Sequence, residues 1–273
     1  MTSISRERQD LAIGLVGGAT AVLDLRGTRF VTDPTFSPPG AYGPLTRTLP
    51  PALAADELGP ADVVLLSHDE HADNFDPAGR EYANRAGRVL TTPGAAGRLG
   101  GNAVGLPTWA GVTVPLAGGG EVMVEGVPAV HGPLDGATDA SGHINCEVTG
   151  WVLSGEDLPT IYVSGDNASV GPVAAVVARH PHIEVAVLFC GAARVPHREQ
   201  GRPLTLTSER AADATVLLGQ PWVVPVHYQG WAHFSEDLGS LTRAFEDAGA
   251  RSRLLLADPG TWSLEGLPRD PNP

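Results

Sequence analysis

Two cysteines in 273 residues, Cys146 and Cys190, are too few for a disulfide framework. The fold must therefore rest on an apolar core. Cys190 closes the run Val185-Ala186-Val187-Leu188-Phe189 and reads as a small buried hydrophobe rather than a nucleophile. Cys146 lies in a polar stretch at a strand start, and its role stays open. No run is long and apolar enough to span a bilayer, and residues 1–10 are polar without an apolar signal core. The expected location is the cytoplasm, with no membrane partner. Basic charge is also scarce: 18 Lys and Arg stand against 31 Asp and Glu, a net charge of −13. That balance argues against a non-specific nucleic-acid surface, which needs the opposite field. It leaves room for a small substrate held by a metal. Nothing in the pattern indicates self-association.

Apolar residues make up 42%, so a sizeable core is available, and 34 Gly and 24 Pro imply many tight connections between short elements. Residues 11–16, 21–25 and 29–32 read as three strands of an antiparallel meander. Residues 37–51 are proline-rich and are expected to be an irregular loop. Residues 52–58 suggest a short helix and 63–66 a buried strand. Residues 77–86 suggest a helix with Asp76 as cap and Pro77 at its first position. Strands follow at 89–92, 112–116 and 121–130, then at 147–153, 160–164, 185–190 and 222–226. Helices are expected to about Arg179, over 208–218 and over 235–248, and a last strand over 251–257. There is no repeat, linker or shift in composition. Strand-rich runs with short turns mix with strand-helix-strand runs in two successive halves. That suits an α/β layered sandwich with helices outside, as one domain over 1–273.

The most informative stretch is Val63-Val64-Leu65-Leu66-Ser67-His68-Asp69-Glu70-His71-Ala72-Asp73-Asn74-Phe75-Asp76. A buried strand runs into two imidazoles and four carboxylates within nine positions. Such groups are costly to pack together unless a cation sits among them, and Asp, Glu and His are ligands of divalent metals. The alternative is a solvated loop with its charges outward. Three further apolar runs end on metal-competent residues: His131, Asp166 and His227. One buried strand-end His is as often a structural hydrogen-bonder as a ligand. Four such ends in series are harder to set aside, because strand carboxyl ends converge on one sheet edge. They would bring together His68, His71, Asp73, His131, Asp166 and His227, an N/O-rich set suited to Zn, Mn or Fe. The chemistry expected there is hydrolysis by metal-activated water.

In this order (strand and His cluster, strand and His, strand and Gly-Asp, strand and His) the chain resembles the metallo-β-lactamase-fold hydrolases. The branch that looks closest is similar to ascorbate-6-phosphate lactonase. The resemblance runs from Gly17-Gly18-Ala19-Thr20 through Thr32-Asp33-Pro34 to Pro225-Val226-His227-Tyr228-Gln229-Gly230-Trp231. It implies a four-layer αβ/βα sandwich, two mixed sheets with helices outside, and a dinuclear site at one edge. It makes His68 the first His of the cluster. Asp73 becomes a ligand of the second ion and the partner of the attacking water. His131 completes the first site, Asp166 bridges, and His227 closes the second site.

The family motif His-x-His-x-Asp-His is altered. The chain carries one extra residue between His68 and Asp73, so His71 or Glu70 replaces the second His, and Asn74 stands where the last His belongs. The implied metal set is His68, Glu70, His71, Asp73, His131, Asp166 and His227, with Asp73, His131 and Asp166 catalytic. One ion, an oxygen-richer pair favouring Mn over Zn, or a weakened site would each follow. The expected function is a metal-dependent hydrolase of a small, possibly anionic ester, lactone, amide or phosphoester. The alternative is a non-catalytic metal- or ligand-binding protein with a degenerate site. A nuclease on the same fold would need a basic stripe that the chain lacks. A flavodiiron oxidoreductase would need a flavin domain.

Smaller expectations attach to other residues. His143 is placed at the pocket rim, with His197 and His233 on the surface or behind the ligands. Asp33 orients a ligand His or is only a turn residue. Arg47, Arg194 and Arg198 are candidates for an anionic group. Tyr228 and Trp231 wall the pocket or belong to the core.

Overall fold

The computed structural model describes residues 2–132, 146–195 and 201–267. Strands β1 (Leu11–Gly17), β2 (Thr20–Leu25) and β3 (Thr28–Thr32) form the expected antiparallel meander. A hairpin of β4 (Gly40–Tyr42) and β5 (Leu45–Arg47) and a short helix α1 (Ala55–Leu58) precede β6 (Val63–Leu65). Next come helix α2 (Pro77–Asn84), β7 (Arg88–Thr91), helix α3 (Pro93–Leu99) and β8 (Ala103–Gly105). The second half contributes β9 (Gly111–Pro115), β10 (Glu121–Pro128), β11 (Thr149–Ser154) and β12 (Ile161–Val163). Helix α4 (Val170–Arg179), β13 (Val185–Phe189), helix α5 (Ser208–Leu217), β14 (Trp222–Val226), helix α6 (Leu238–Asp247) and β15 (Trp262–Glu265) complete it.

Two mixed sheets result, in the orders β15-β1-β2-β3-β6-β7-β8 and β14-β13-β12-β11-β10-β9. Alternation along β6 shows how they stack. Val63 and Leu65 pack with Leu153, Val163 and Val187 of the other sheet, whereas Val64 and Leu66 face Phe75, Tyr82 and Ala83 around α2. Val173, Ala211 and Phe245 cover the second sheet from the helices α4, α5 and α6. The layering is helix, sheet, sheet, helix. No helix among the described residues is long and apolar enough to cross a membrane.

Strand direction places the site. β12, β13 and β14 are parallel, and two antiparallel steps through β11 return β10 to the same direction. The residues after β10, β12 and β14 therefore leave from one edge. That edge is joined to the end of β6 by Thr149 N, which donates to Ser67 O at 3.1 Å, and to the β1–β2 turn by His227 N, which donates to Gly18 O at 2.7 Å. Gly165, at φ +56°, makes the junction possible. A Cβ there would lie 2.5 Å from Thr149 O and 3.0 Å from Ser67 Cβ.

Two sequence expectations are corrected. Residues 37–51 are not wholly irregular: β4 and β5 pair, because Pro38, Pro39, Pro44, Pro50 and Pro51 all fall outside the paired residues. Residues 251–257 do not form the last strand. They make a 3-10 turn at Arg251–Arg253 and one bridge from Leu254 to Val223. The turn at Asp258-Pro259-Gly260 then carries the chain to the first sheet, where β15 pairs with β1 and buries Trp262. Strand β8, three residues beside a glycine pair, gave no periodic signal.

Candidate metal centre

Three imidazole nitrogens meet at one point. His68 Nε2 lies 3.0 Å from His71 Nδ1, and His71 Nδ1 lies 3.0 Å from His131 Nε2. Their outward nitrogens explain the arrangement. His131 Nδ1 donates to Leu204 O at 2.6 Å, and His68 Nδ1 meets Ser67 Oγ at 3.0 Å. An outward nitrogen that carries the proton leaves its inward partner as a bare lone pair. Ser67 is held in turn by Asp33, whose Oδ1 accepts from Ser67 N at 2.6 Å. Asp33 thus acts on His68 through Ser67, and no ligand His touches it directly. Burial first, and Asp166 with it, push the Asp33 carboxyl up to about 8 against the hydrogen bonds it accepts. Burial lowers His68 well below the ordinary imidazole value and lowers His71 too, and the neighbouring imidazoles add to both shifts. Neutral imidazoles with converging lone pairs repel one another unless a cation lies between them. Two such nitrogens on one tetrahedral zinc stand roughly 3.3 Å apart, close to the spacing found.

Beside this tripod lies a carboxylate-rich group. Ligand atoms of Asp73, Asp166 and His227 fall within 4.8 Å of one another, and all three residues are buried. Asp166 faces both groups: its Oδ2 is 3.5 Å from His131 Nε2 and its Oδ1 is 3.6 Å from His227 Nδ1. Asn74 Nδ2 donates to Asp166 Oδ1 at 3.0 Å and to Asp33 Oδ2 at 3.3 Å. Asp73 is not the helix cap. Asp76 is, accepting from Gly79 N at 2.7 Å, so Asp73 is free to turn inward. Its Oδ2 lies 2.9 Å from His233 Nε2 and 3.3 Å from His227 Nε2. Burial alone would raise the Asp73 carboxyl, but His233 and His227 hold it well below the usual range. Burial alone would lower His227, and Asp166 and Asp73 outweigh it and raise that imidazole. Asp73 Oδ1, Asp166 Oδ2 and both ring nitrogens of His227 are buried without a hydrogen-bond partner. All four atoms belong to metal-competent side chains, and a divalent cation among them would satisfy them. His227 also sits at φ +58°, a strained setting for a non-glycine residue.

The structure brings together six of the seven proposed ligands and leaves out Glu70. The extra residue is absorbed as an outward bulge, with the Glu70 side chain 42% exposed and 3.5 Å from Arg98. Arg98 also holds Asp69, and His71 takes the second His position. Arg47 is not available to an anion. It is buried and paired with Asp76 at 3.0 Å. Arg194 ties down its own loop through Ser235 Oγ and Gly201 O. His143, His197 and Arg198 lie outside the described residues. Trp231 and Tyr228 are both buried. Sequence reasoning gave His233 only a supporting place. Its one available signal was its position six residues after His227. Cys146 is buried and joins His68, His71 and His131 as a fourth metal-competent group. Its own signal was faint, a sulfur just before a strand. A cavity of ≈ 60 Å³ lined by Leu45, His71, Asp73, His131, Leu204 and His233 lies against the cluster. A groove of ≈ 660 Å³ lined by Tyr42, Glu70, His71, Phe75, Arg80 and Cys146 adjoins that cavity, sharing Leu45 and His71.

Comparison with known proteins adds an independent line. A family model described as "Beta-lactamase superfamily domain" matches residues 28–228. A protein named UPF0173 metal-dependent hydrolase from Methanosphaerula palustris is 27% identical over 212 residues, 74% of this chain and 84% of that protein. Among solved structures, an isothiocyanate hydrolase from Delia radicum gut bacteria superposes with a TM-score of 0.76 at 21% identity, over 92% of this chain and 97% of that one. A possible metal-dependent hydrolase from Veillonella parvula gives 0.77 at 16% identity, over the same shares. At these identities the two structures speak for the fold alone.

Proposed function

The chain belongs to the beta-lactamase superfamily, and from that premise we propose that it is a metal-dependent hydrolase of a small ester, lactone or phosphoester. His68, His71 and His131 would hold one divalent ion. Asp73, Asp166 and His227 would hold a second, and Asp166 lies near both His131 and His227. The observation that carries this reading is the convergence of three imidazole nitrogens beside buried carboxylate oxygens that have no partner. The chemistry supplied by a divalent ion there is acidification of water and polarisation of a carbonyl or phosphoryl oxygen.

Asp73 would orient the attacking water. His233 and His227 engage its Oδ2, which leaves Oδ1 facing the site as an acceptor. A carboxyl held well below its usual range is a good acceptor and a weak proton store. It positions water more than it keeps the proton. His131 and Asp166 fix the geometry around the reacting atoms. The ≈ 60 Å³ cavity has room for a reacting group rather than a whole substrate, so the rest of the molecule would lie in the adjoining groove. Arg80 lines that groove and suits an anionic substrate. The resemblance to the ascorbate-6-phosphate lactonase branch makes a lactone the first compound to test. Asn74, a neutral amide where the family pattern has an imidazole, favours a second reading: a protein that binds metal and ligand without turnover.

A panel of fluorogenic ester, lactone and phosphodiester substrates with added Zn or Mn separates the two. Hydrolysis by the wild type, abolished by a chelator and lowered about 100-fold or more in Asp73→Asn, supports the enzyme. Metal bound with no turnover of any member supports the binding protein.

A further inference from the structure

The Cys146 thiol is metal-competent and has no part in the hydrolytic reading. Its sulfur and the ligand nitrogens of His68, His71 and His131 all lie within 4.8 Å of one another. The approach is fixed by the neighbouring chain. Glu147 accepts from Gly94 N at 2.9 Å, and Thr149 N donates to Ser67 O, the residue before His68. Cys146 is 8% exposed. A second observation, independent of the sulfur, points to an ion at the same place. Asp166 Oδ2 is fully buried, has no hydrogen-bond partner, and faces His131 Nε2 at 3.5 Å. An acceptor aimed at lone-pair nitrogens has nothing to accept. A divalent cation between them would satisfy both.

We propose that Cys146 Sγ is the fourth protein ligand of the ion held by His68, His71 and His131. The proposal rests on the reading of those three imidazoles as a metal tripod. Three nitrogens and one thiolate would make a borderline-soft donor set that selects Zn over Mn or Mg. Coordination replaces the S–H bond with a sulfur–metal bond, and the proton leaves to solvent. With Cys146 and Asp166 both on this ion, the position open to solvent and substrate would lie on the Asp73 and His227 side. The filled site also shields the thiol from electrophiles that reach it through the groove.

The test is reconstitution of the whole chain with Co²⁺. The wild type should show a thiolate-to-cobalt charge-transfer band in the near ultraviolet. Cys146→Ser and Cys146→Ala should lack it, and Cys190→Ser should keep it. Both Cys146 variants should bind zinc at least about tenfold more weakly, while Cys146 in the wild type should resist iodoacetamide when zinc is bound and react when zinc is removed. Circular dichroism checks that each variant is folded. A wild type that binds cobalt without the band, with zinc affinity equal to that of Cys146→Ser, overturns the thiolate and leaves the tripod standing. A wild type that binds no cobalt overturns both.

Discussion

Arg29 and Asp24 lie in the first sheet, fully covered and 2.7 Å apart. All five guanidinium hydrogens have acceptors there. Asp24 takes two, and the backbone oxygens of Ser5, Glu7 and Leu58 take the rest. The group at the sheet edges around Asp166 is as deeply buried, yet Asp73 Oδ1, Asp166 Oδ2 and both nitrogens of His227 have no hydrogen-bond partner. A chain that can satisfy five donors on one arginine is not short of ways to satisfy a carboxylate. The difference separates a cluster that holds the fold together from one arranged for something that binds it.

The largest effect that could break this contrast is on Arg29. Arg29→Met leaves the Asp24 carboxylate buried and unpaired, and should lower stability by about 3–5 kcal/mol in denaturant unfolding. The metal content of the protein that remains folded should not change. A smaller loss would mean that water reaches Asp24 and that the two clusters differ less than their geometry suggests.

Metal should act in the opposite sense on the other cluster. Zinc at a thousandfold excess over its dissociation constant should raise stability by about 4 kcal/mol. The increment should survive in Arg29→Met and disappear in His131→Ala. Without metal, Asp166→Asn should be as stable as the wild type within roughly 1 kcal/mol, or more stable, since it removes a carboxylate whose Oδ2 has no partner. A large loss in the metal-free variant would show that Asp166 is structural.

The strand-end rule made much of this site legible. Buried apolar runs before His68, His131, Asp166 and His227 located four elements of it, and the parallel directions of β10, β12 and β14 bring three of them to one edge. The choice between Glu70 and His71 could not be made from spacing, because it depends on Arg98 holding the buried Asp69 while Glu70 stays at the surface. The chain from Asp33 through Ser67 to His68, and the approach of His233 to Asp73, depend on loop geometry with no periodic signature. Arg47 misled for the same reason. Its partner Asp76 is 29 residues away, and no local pattern shows that the charge is already taken.

The smallest effect concerns pH. His68 and His71 are held below the ordinary imidazole value, chiefly by burial. Protons compete with metal only below a ligand's own value, so a lowered value extends metal binding toward acid. Two ordinary imidazoles would lose roughly tenfold in affinity between pH 7 and pH 6. The contribution of this pair should change by less than about threefold, measured by competition titration with a zinc chromophore. A full tenfold loss would indicate imidazoles that are solvated when no metal is bound.

The central claim is that side chains from distant parts of the chain meet around at least one cation, and elemental analysis of purified protein tests it most directly. Wild type should contain one or two divalent ions per chain, and His131→Ala and Asp166→Ala should each contain markedly less. Equal metal content in all three proteins would contradict the account.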